Sequence, residues 1–232
     1  MEYKTYSDIK GEVQRALDLQ AESFITDPEL LEYCNNAINT AESEIHGIYE
    51  DYFLKSSTID LTSGEKHYSL PSDIFANKIR DLVYNDGSTI YSVKRLTSID
   101  KFEQAENYDI YDPDAYYSYF IVNRGSADNF KPKIRLVPAS SETKAGVLKI
   151  FYLRNANKVA LDTDVVDIPE FYSFIVQFMK VECYKKEGHP NLGLAMNSLE
   201  RERRMMIDTL SNMVPDGENQ MEMDLTFYEE MH

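Results

Sequence analysis

Long apolar runs, cysteine and positive charge are all scarce in this 232-residue chain. No stretch approaches the roughly 18 to 20 apolar residues a membrane-spanning helix needs. The opening MEYKTYSDIK lacks the apolar centre of a secretory signal. The expectation is a protein that folds where it is made and has no membrane partner. Its two cysteines, Cys34 and Cys183, lie far apart on expected helices, outside any metal or redox spacing, and read as buried thiols. Lys and Arg number 24 against 40 Asp and Glu, a formal charge of −16. Binding a duplex requires clustered cations, so an ordinary nucleic-acid binder is excluded. An acidic wall still suits a channel through which DNA slides without being held.

Catalytic signatures are missing as well. There is no Gly-x-Ser-x-Gly, no His-Glu-x-x-His and no Gly-x-x-x-x-Gly-Lys. Asp112-Pro113-Asp114 and Asp162-Thr163-Asp164 pair carboxylates, but neither continues as a calcium loop, and solvated loop acids are the expectation. His46, His67, His189 and His232 share no ligand spacing. The chain is therefore expected to be no enzyme, to hold no metal and to need no cofactor.

What is present is a 43% hydrophobic content, enough for a sizeable core, arranged in a changing period. Thr5 and Asp8 have the form of a helix cap ahead of Tyr6, Ile9, Val13, Ala16 and Leu17, a short first helix. Asp27 followed by Pro28 opens a second, with Asp27 as its cap and an apolar stripe from Leu30 to Phe53. Its polar face is acidic. The stretch Ile59–Asp73, IDLTSGEKHYSLPSD, alternates, turns at Ser63-Gly64 and alternates again, which predicts a two-stranded hairpin. A second hairpin is predicted where 79–84 and 90–96 flank Asn85-Asp86-Gly87. Three more strands follow at 116–123, 133–137 and 147–154. Helix returns at Pro169, with a single stripe of Phe171, Phe174, Ile175, Phe178, Met179 and Cys183, stops at Gly188, and resumes over about 191–213 with Leu192, Ala195, Leu199, Met206, Leu210 and Met213 facing inward.

The predicted fold class is α+β: a helical bundle of two N-terminal and two C-terminal helices, with an inserted small antiparallel β-sandwich or barrel and an extended C-terminal tail. The expected boundaries are 1–54 with 155–213 for the bundle, 55–154 for the β insertion and 214–232 for the tail.

Three groups of residues stand out as candidate interaction sites. In the tail, Met221, Met223, Leu225 and Phe227, followed by Tyr228, alternate with Glu222, Asp224 and Thr226. That pattern suits a strand added to a partner's sheet edge, while a loose or self-packed terminus is the alternative. The closing helices carry Lys185, Lys186, Arg201, Arg203 and Arg204, and the long second helix carries Glu42 and Glu44. These charges could pair helix to helix or subunit to subunit or face a lumen, and the arginines of the last helix, Arg201, Arg203 and Arg204, could instead touch phosphate. Tyr108, Tyr111, Tyr116, Tyr117 and Tyr119 mix with Asp and Asn, which fits a core, a subunit interface or a ligand surface.

Taken in order, these features resemble the head-to-tail adaptor, or connector ring, proteins of tailed bacteriophages, particularly short-tailed and crAss-like phages. The resemblance rests on the helix pair before residue 55, Tyr68-x-Leu70-Pro71-x-Asp73, Asp112-Pro113-x-x-Tyr116, Ile134-x-Leu136-x-Pro138, Phe151-Tyr152 and Asp167-Ile168-Pro169-Glu170. Asp112 stands where the family more usually has glycine. The resemblance implies a structural virion protein at the head–tail interface, made in the host cytoplasm. It implies a twelve-membered ring of the chain with itself beneath the portal protein, extending the DNA ejection channel and seating downstream tail or nozzle proteins, with DNA only in transit. It also implies that the C-terminal segment clasps the portal. From the tyrosine run alone, a carbohydrate-binding or surface-attachment module is the competing expectation.

Overall fold

The computed structural model describes residues 3–17, 24–97, 117–122 and 132–214. They form a mixed α+β structure in two compact units, one comprising Met1–Thr5 with Glu50–Pro169 and the other Tyr6–Tyr49 with Glu170–His232. The divisions at 49/50 and 169/170 differ from the expected 54/55 and 154/155. Residues after 154 are held by the β unit: Asn155 N–H donates to Asp73 O at 2.7 Å, Arg154 pairs with Asp167 at 2.5 Å, and Val166 N–H donates to Lys4 O at 3.2 Å.

The helical unit contains α1 (Tyr6–Leu17), α2 (Asp27–Ile48), α3 (Tyr172–Glu187) and α4 (Leu192–Met213). Thr26, not Asp27, caps α2. Its backbone is extended, and its N–H and hydroxyl both donate to Glu29 Oε2, at 2.9 and 2.8 Å. Helix α2 also ends at Ile48, short of the expected Phe53. Glu50–Phe53 form a 3₁₀ turn, and Phe53 is buried in the β unit under the Arg154 guanidinium, 4.9 Å from the ring centroid. An apolar stripe records that a residue is buried, not which unit buries it.

Helix α3 packs against α1, α2 and α4. The sequence predicts one stripe, yet Tyr172, Val176 and Val181 are buried along with Phe174, Ile175, Met179 and Cys183. A helix with neighbours on three sides needs apolar residues most of the way round. Gly188 closes it in the left-handed conformation, φ +64°. Helix α4 buries only Ala195, Met206 and Leu210, and the predicted inward residues Leu192, Leu199 and Met213 are half-buried.

The β unit holds two four-stranded sheets, β1-β8-β3-β4 and β2-β7-β6-β5. The strands are β1 (Leu54–Leu61), β2 (His67–Ser69), β3 (Ile74–Asn85), β4 (Ile90–Ser92), β5 (Lys94–Arg95), β6 (Ser118–Val122), β7 (Lys133–Val137) and β8 (Lys144–Arg154). The hairpin expected over Ile59–Asp73 is not formed: β1 pairs with β8 and β2 with β7, so the turn at Gly64 carries the chain from one sheet to the other. The local signals of strand, turn and strand are correct, but long-range partners outcompete the near neighbour. The second predicted hairpin does form, with Tyr84 opposite Tyr91 and Gly87 at φ +90°. The pairs within each sheet are antiparallel except β5 with β6, which is parallel. Leu61, Leu82, Ile134, Leu136, Leu148 and Ile150, from both sheets, join in one buried cluster.

Strand β3 departs from regularity near its start. Ile74 pairs with Arg154 and Ile79 with Tyr152, so five steps along β3 stand against two along β8. The excess is taken up in a bulge where Ala76 and Asn77 have φ of +46° and +57°. Left-handed backbone costs roughly 1–2 kcal/mol at an ordinary residue, less at asparagine. The bulge is pinned at Asp73, whose carboxylate accepts from Tyr152 Oη and Lys55 Nζ, both at 2.8 Å. Burial opposes ionisation of Asp73, but these two partners outweigh it and hold its pKa below the ordinary value. Tyr152, buried beside that carboxylate, is pushed up to about 12.

Two outcomes follow. Ile150 is fully buried on the central strand β8, so Ile150→Ala should cost about 3 kcal/mol in urea unfolding, and a loss below about 1 would show a site that collapses freely. Burial raises both Cys34 and Cys183 to about 12, so neither thiol should react with a disulfide reagent at neutral pH until the protein is unfolded.

Candidate functional site

The acidic face of α2 meets the cations of α3 and α4 within the helical unit. Lys186 Nζ contacts Glu29 Oε1 and Oε2 at 2.6 and 2.7 Å, donates to Phe24 O at 2.9 Å, and stands 4.4 Å from the centre of the Phe24 ring. Its hydrogen bonds, with those from Thr26, bring the Glu29 pKa down to about 2. Arg203 donates from Nε and Nη2 to Glu44 Oε1 at 2.9 and 2.6 Å. Lys186 and Arg203 are thus satisfied inside one chain. Lys185 pairs with Glu182 and Arg204 with Glu200 along their own helices, and Arg201 is exposed. Glu42 lies 3.8 Å from His46, which is buried on the same helix. The predicted charge set therefore splits between cations paired across helices, Lys186 and Arg203, and the exposed Lys185, Arg201 and Arg204, which have no partner on another helix among the described residues.

The tyrosine run is only partly described. Tyr119 is buried in the cluster to which both sheets contribute. Tyr117 packs against Tyr84, centroids 5.5 Å apart; its N–H donates to Tyr91 Oη at 3.1 Å and its hydroxyl to Ser140 Oγ at 3.3 Å. These two tyrosines serve the fold. Tyr108, Tyr111 and Tyr116, and the tail residues Met221, Met223, Leu225, Phe227 and Tyr228, lie outside the described residues. Of the acid pairs, Asp164 accepts from the N–H groups of Ala160 and Leu161 at 2.7 and 2.9 Å, closing a loop, and these bonds lower its pKa. Asp112-Pro113-Asp114 is likewise outside the described residues. Among the described residues no three His, Cys, Asp or Glu side chains converge as metal ligands, and no helix is long and apolar enough to cross a membrane.

The β3 bulge shapes a feature that period and spacing did not reveal. A cavity of about 500 Å³ opens there, lined by Glu50, Ala76, Asn77, Lys78, Ile79, Arg80, Arg95 and Ile121. Glu50 bridges two cations, Oε1 to Lys78 at 2.5 Å and Oε2 to Arg80 at 2.7 Å, while Asp51 Oδ1 accepts from Arg80 Nε at 2.7 Å. The alternation of Lys78 with Arg80 after the acidic pair Glu50-Asp51 was the available signal. Residues from β5 and β6 complete the cavity, and they are distant in sequence.

The family model described as SU10 adaptor protein matches residues 4–221, which takes in both compact units. No curated protein matches the chain.

The depressed pKa of Glu29 sets a pH dependence for the helical unit. A carboxylate with a lowered folded pKa stabilises fully above its unfolded value, near 4.5, and that contribution fades as pH falls toward about 2. Glu29→Gln should therefore be less stable than the parent at pH 7, and the two denaturation midpoints should converge between pH 5 and pH 2. A gap that stays constant across that window would show that Glu29 acts through something other than its charge.

Proposed function

The chain belongs to the SU10 adaptor protein family, and from that premise we propose that it is a structural, non-enzymatic adaptor of a bacteriophage virion. It assembles with itself as a twelve-membered ring beneath the portal protein, extends the DNA channel and gives later tail proteins their platform. The observation that carries this reading is the family match across residues 4–221. The short-tailed and crAss-like phages that the motifs resemble are the proposed setting, with the protein made in the host cytoplasm and retained in the virion.

The electrostatics support a conduit. A chain of net charge −16 repels phosphate on average, and one of its candidate phosphate-contacting cations, Arg203, is engaged by Glu44. DNA in transit then meets a surface that does not retain it. Ring closure needs a heterologous contact, one surface of each copy against a different surface of the next. The exposed cations Lys185, Arg201 and Arg204 on a protein rich in carboxylates supply one half of such a contact. The proposed docking element toward the portal is Met221, Met223, Leu225, Phe227 and Tyr228, laid as an added strand whose backbone supplies affinity and whose alternate side chains supply register.

Sedimentation of the full chain and of a chain ending at Met213, each with and without the portal complex, tests this. The full chain should co-migrate with the portal and the shortened chain should not. Absence of both from the portal fraction would sink the adaptor reading, and equal co-migration would remove the tail's role.

A further inference from the structure

Helix α4 turns a mixed apolar and charged face outward. At 3.6 residues per turn Leu194, Arg201, Met205 and Asp208 fall within about 60° of one line, on a different side from the buried Ala195, Met206 and Leu210. Leu194 is 69% exposed and Met205 51%. Arg201 is exposed and makes no ion pair among the described residues, and Arg204, which flanks the line, pairs with Glu200 of its own helix at 3.2 Å. Val214 then leaves the helix with extended backbone, φ −61° and ψ 119°, into Pro215-Asp216-Gly217. Proline with its fixed φ, followed by aspartate and glycine, is turn chemistry, and a reversal there sends the following chain back along α4. That chain lies outside the described residues and in the same compact unit as the helix. From Pro215 to His232 it has six acids and no Lys or Arg.

We infer that residues 218–227 lie back along this face of α4, antiparallel to the helix, as an intramolecular latch that holds the tail until the portal takes it. The register follows from rise per residue, 1.5 Å in a helix and about 3.4 Å in an extended chain. Counted back from Met213, Asp208 stands about 8 Å from the end of the helix, Met205 about 12 Å, Arg201 about 18 Å and Leu194 about 28 Å. Counted on from Gly217, Asn219 lies about 7 Å along, Met221 about 14 Å, Glu222 about 17 Å and Leu225 about 27 Å. Apolar residue thus meets apolar residue at both Met205 and Leu194, and Glu222 comes level with Arg201. Asp208 stands beside Asn219, in the uncharged part of the tail, so no acid is forced against it. Because apolar and polar residues alternate, Met221, Met223 and Leu225 share the side that lies on the helix, and the long arginine side chains reach past the strand's edge to the acids. The latch rests on the adaptor reading only in what it withholds, since the same residues are assigned above to the portal, which must displace α4 to take them.

Disulfide trapping in the full-length protein tests the contact, with oxidised glutathione accepting the two thiol hydrogens. Leu194→Cys is combined with Leu225→Cys or with Met221→Cys; Leu194 is exposed, so the reduced variants should keep the parent's unfolding midpoint, and the native Cys34 and Cys183 are buried. The latch predicts faster closure between positions 194 and 225, whereas an unattached tail closes the shorter loop, to position 221, slightly faster. Arg201→Glu should slow the 194–225 closure about fivefold, the effect of one exposed ion pair. Faster closure to position 221, or a 194–225 rate indifferent to Arg201→Glu, would overturn the latch. A cross-linked dimer in place of a looped monomer would overturn the intramolecular assignment in favour of a second copy. The trapped 194–225 protein should fail to join the portal until it is reduced, and joining while trapped would overturn the competition between α4 and the portal. Closure rates are read without the portal, so failure here and failure of portal co-migration by the parent chain are separate results.

Discussion

Strand β8 is paired along both edges, with β1 on one side and β3 on the other, and the β unit is built outward from it. Leu148 and Ile150 turn into the cluster shared by the two sheets, and Tyr152 reaches Asp73 in the turn before β3. Because Asp73 also holds Lys55 on β1, one carboxylate ties together three strands at the end where the chain leaves the sheet. The bulge in β3 begins immediately after this knot. A strand anchored so firmly at Asp73 and again from Ile79 onward has only the intervening residues in which to absorb its extra length, and Ala76 and Asn77 take the left-handed backbone.

Charge is handled locally in both units. In the helical unit the acids of α2 are matched by Lys186 and Arg203, in the β unit Glu50 and Asp51 by Lys78 and Arg80. Exposed ion pairs contribute only about 0 to 1 kcal/mol each, so their main effect is on what remains uncompensated. What remains is a large acidic surplus with a few outward cations, among them Arg201 on α4 and Arg95 on β5.

Much of the secondary structure was legible. The helices over Tyr6–Leu17 and Tyr172–Glu187, the Asn85-Asp86-Gly87 hairpin, and the strands ending at Val137 and Arg154 all lie where period and turn chemistry place them. The failures share a cause. Tyr52 and Phe53 continue the stripe of α2, yet the chain leaves the helix at Tyr49; Leu61 and Tyr68 read as hairpin partners, yet they belong to different sheets. In each case the local pattern records burial correctly and misassigns the burying surface. The candidate site was less legible still. Arg203 and Glu44 were singled out together without the pairing between them being fixed, Lys186 was singled out without Glu29, and the cavity at Lys78, Arg80 and Arg95 draws on segments whose adjacency no spacing reveals.

The sequence by itself determined the class of the molecule and its electrostatic character: helices, then strands, then helices, on an acidic chain whose motifs follow the order of phage adaptors. These are properties of single residues and near neighbours, through the periods of 3.6 and 2.0, proline and glycine at turns, and the count of charges. Only the tertiary structure decided which strands pair and which cations are already spent on acids of the same chain. Those outcomes depend on contacts between residues 18 to more than 150 positions apart, such as Lys55 with Asp73 and Arg203 with Glu44, and a distance of that kind leaves no periodic trace in the chain.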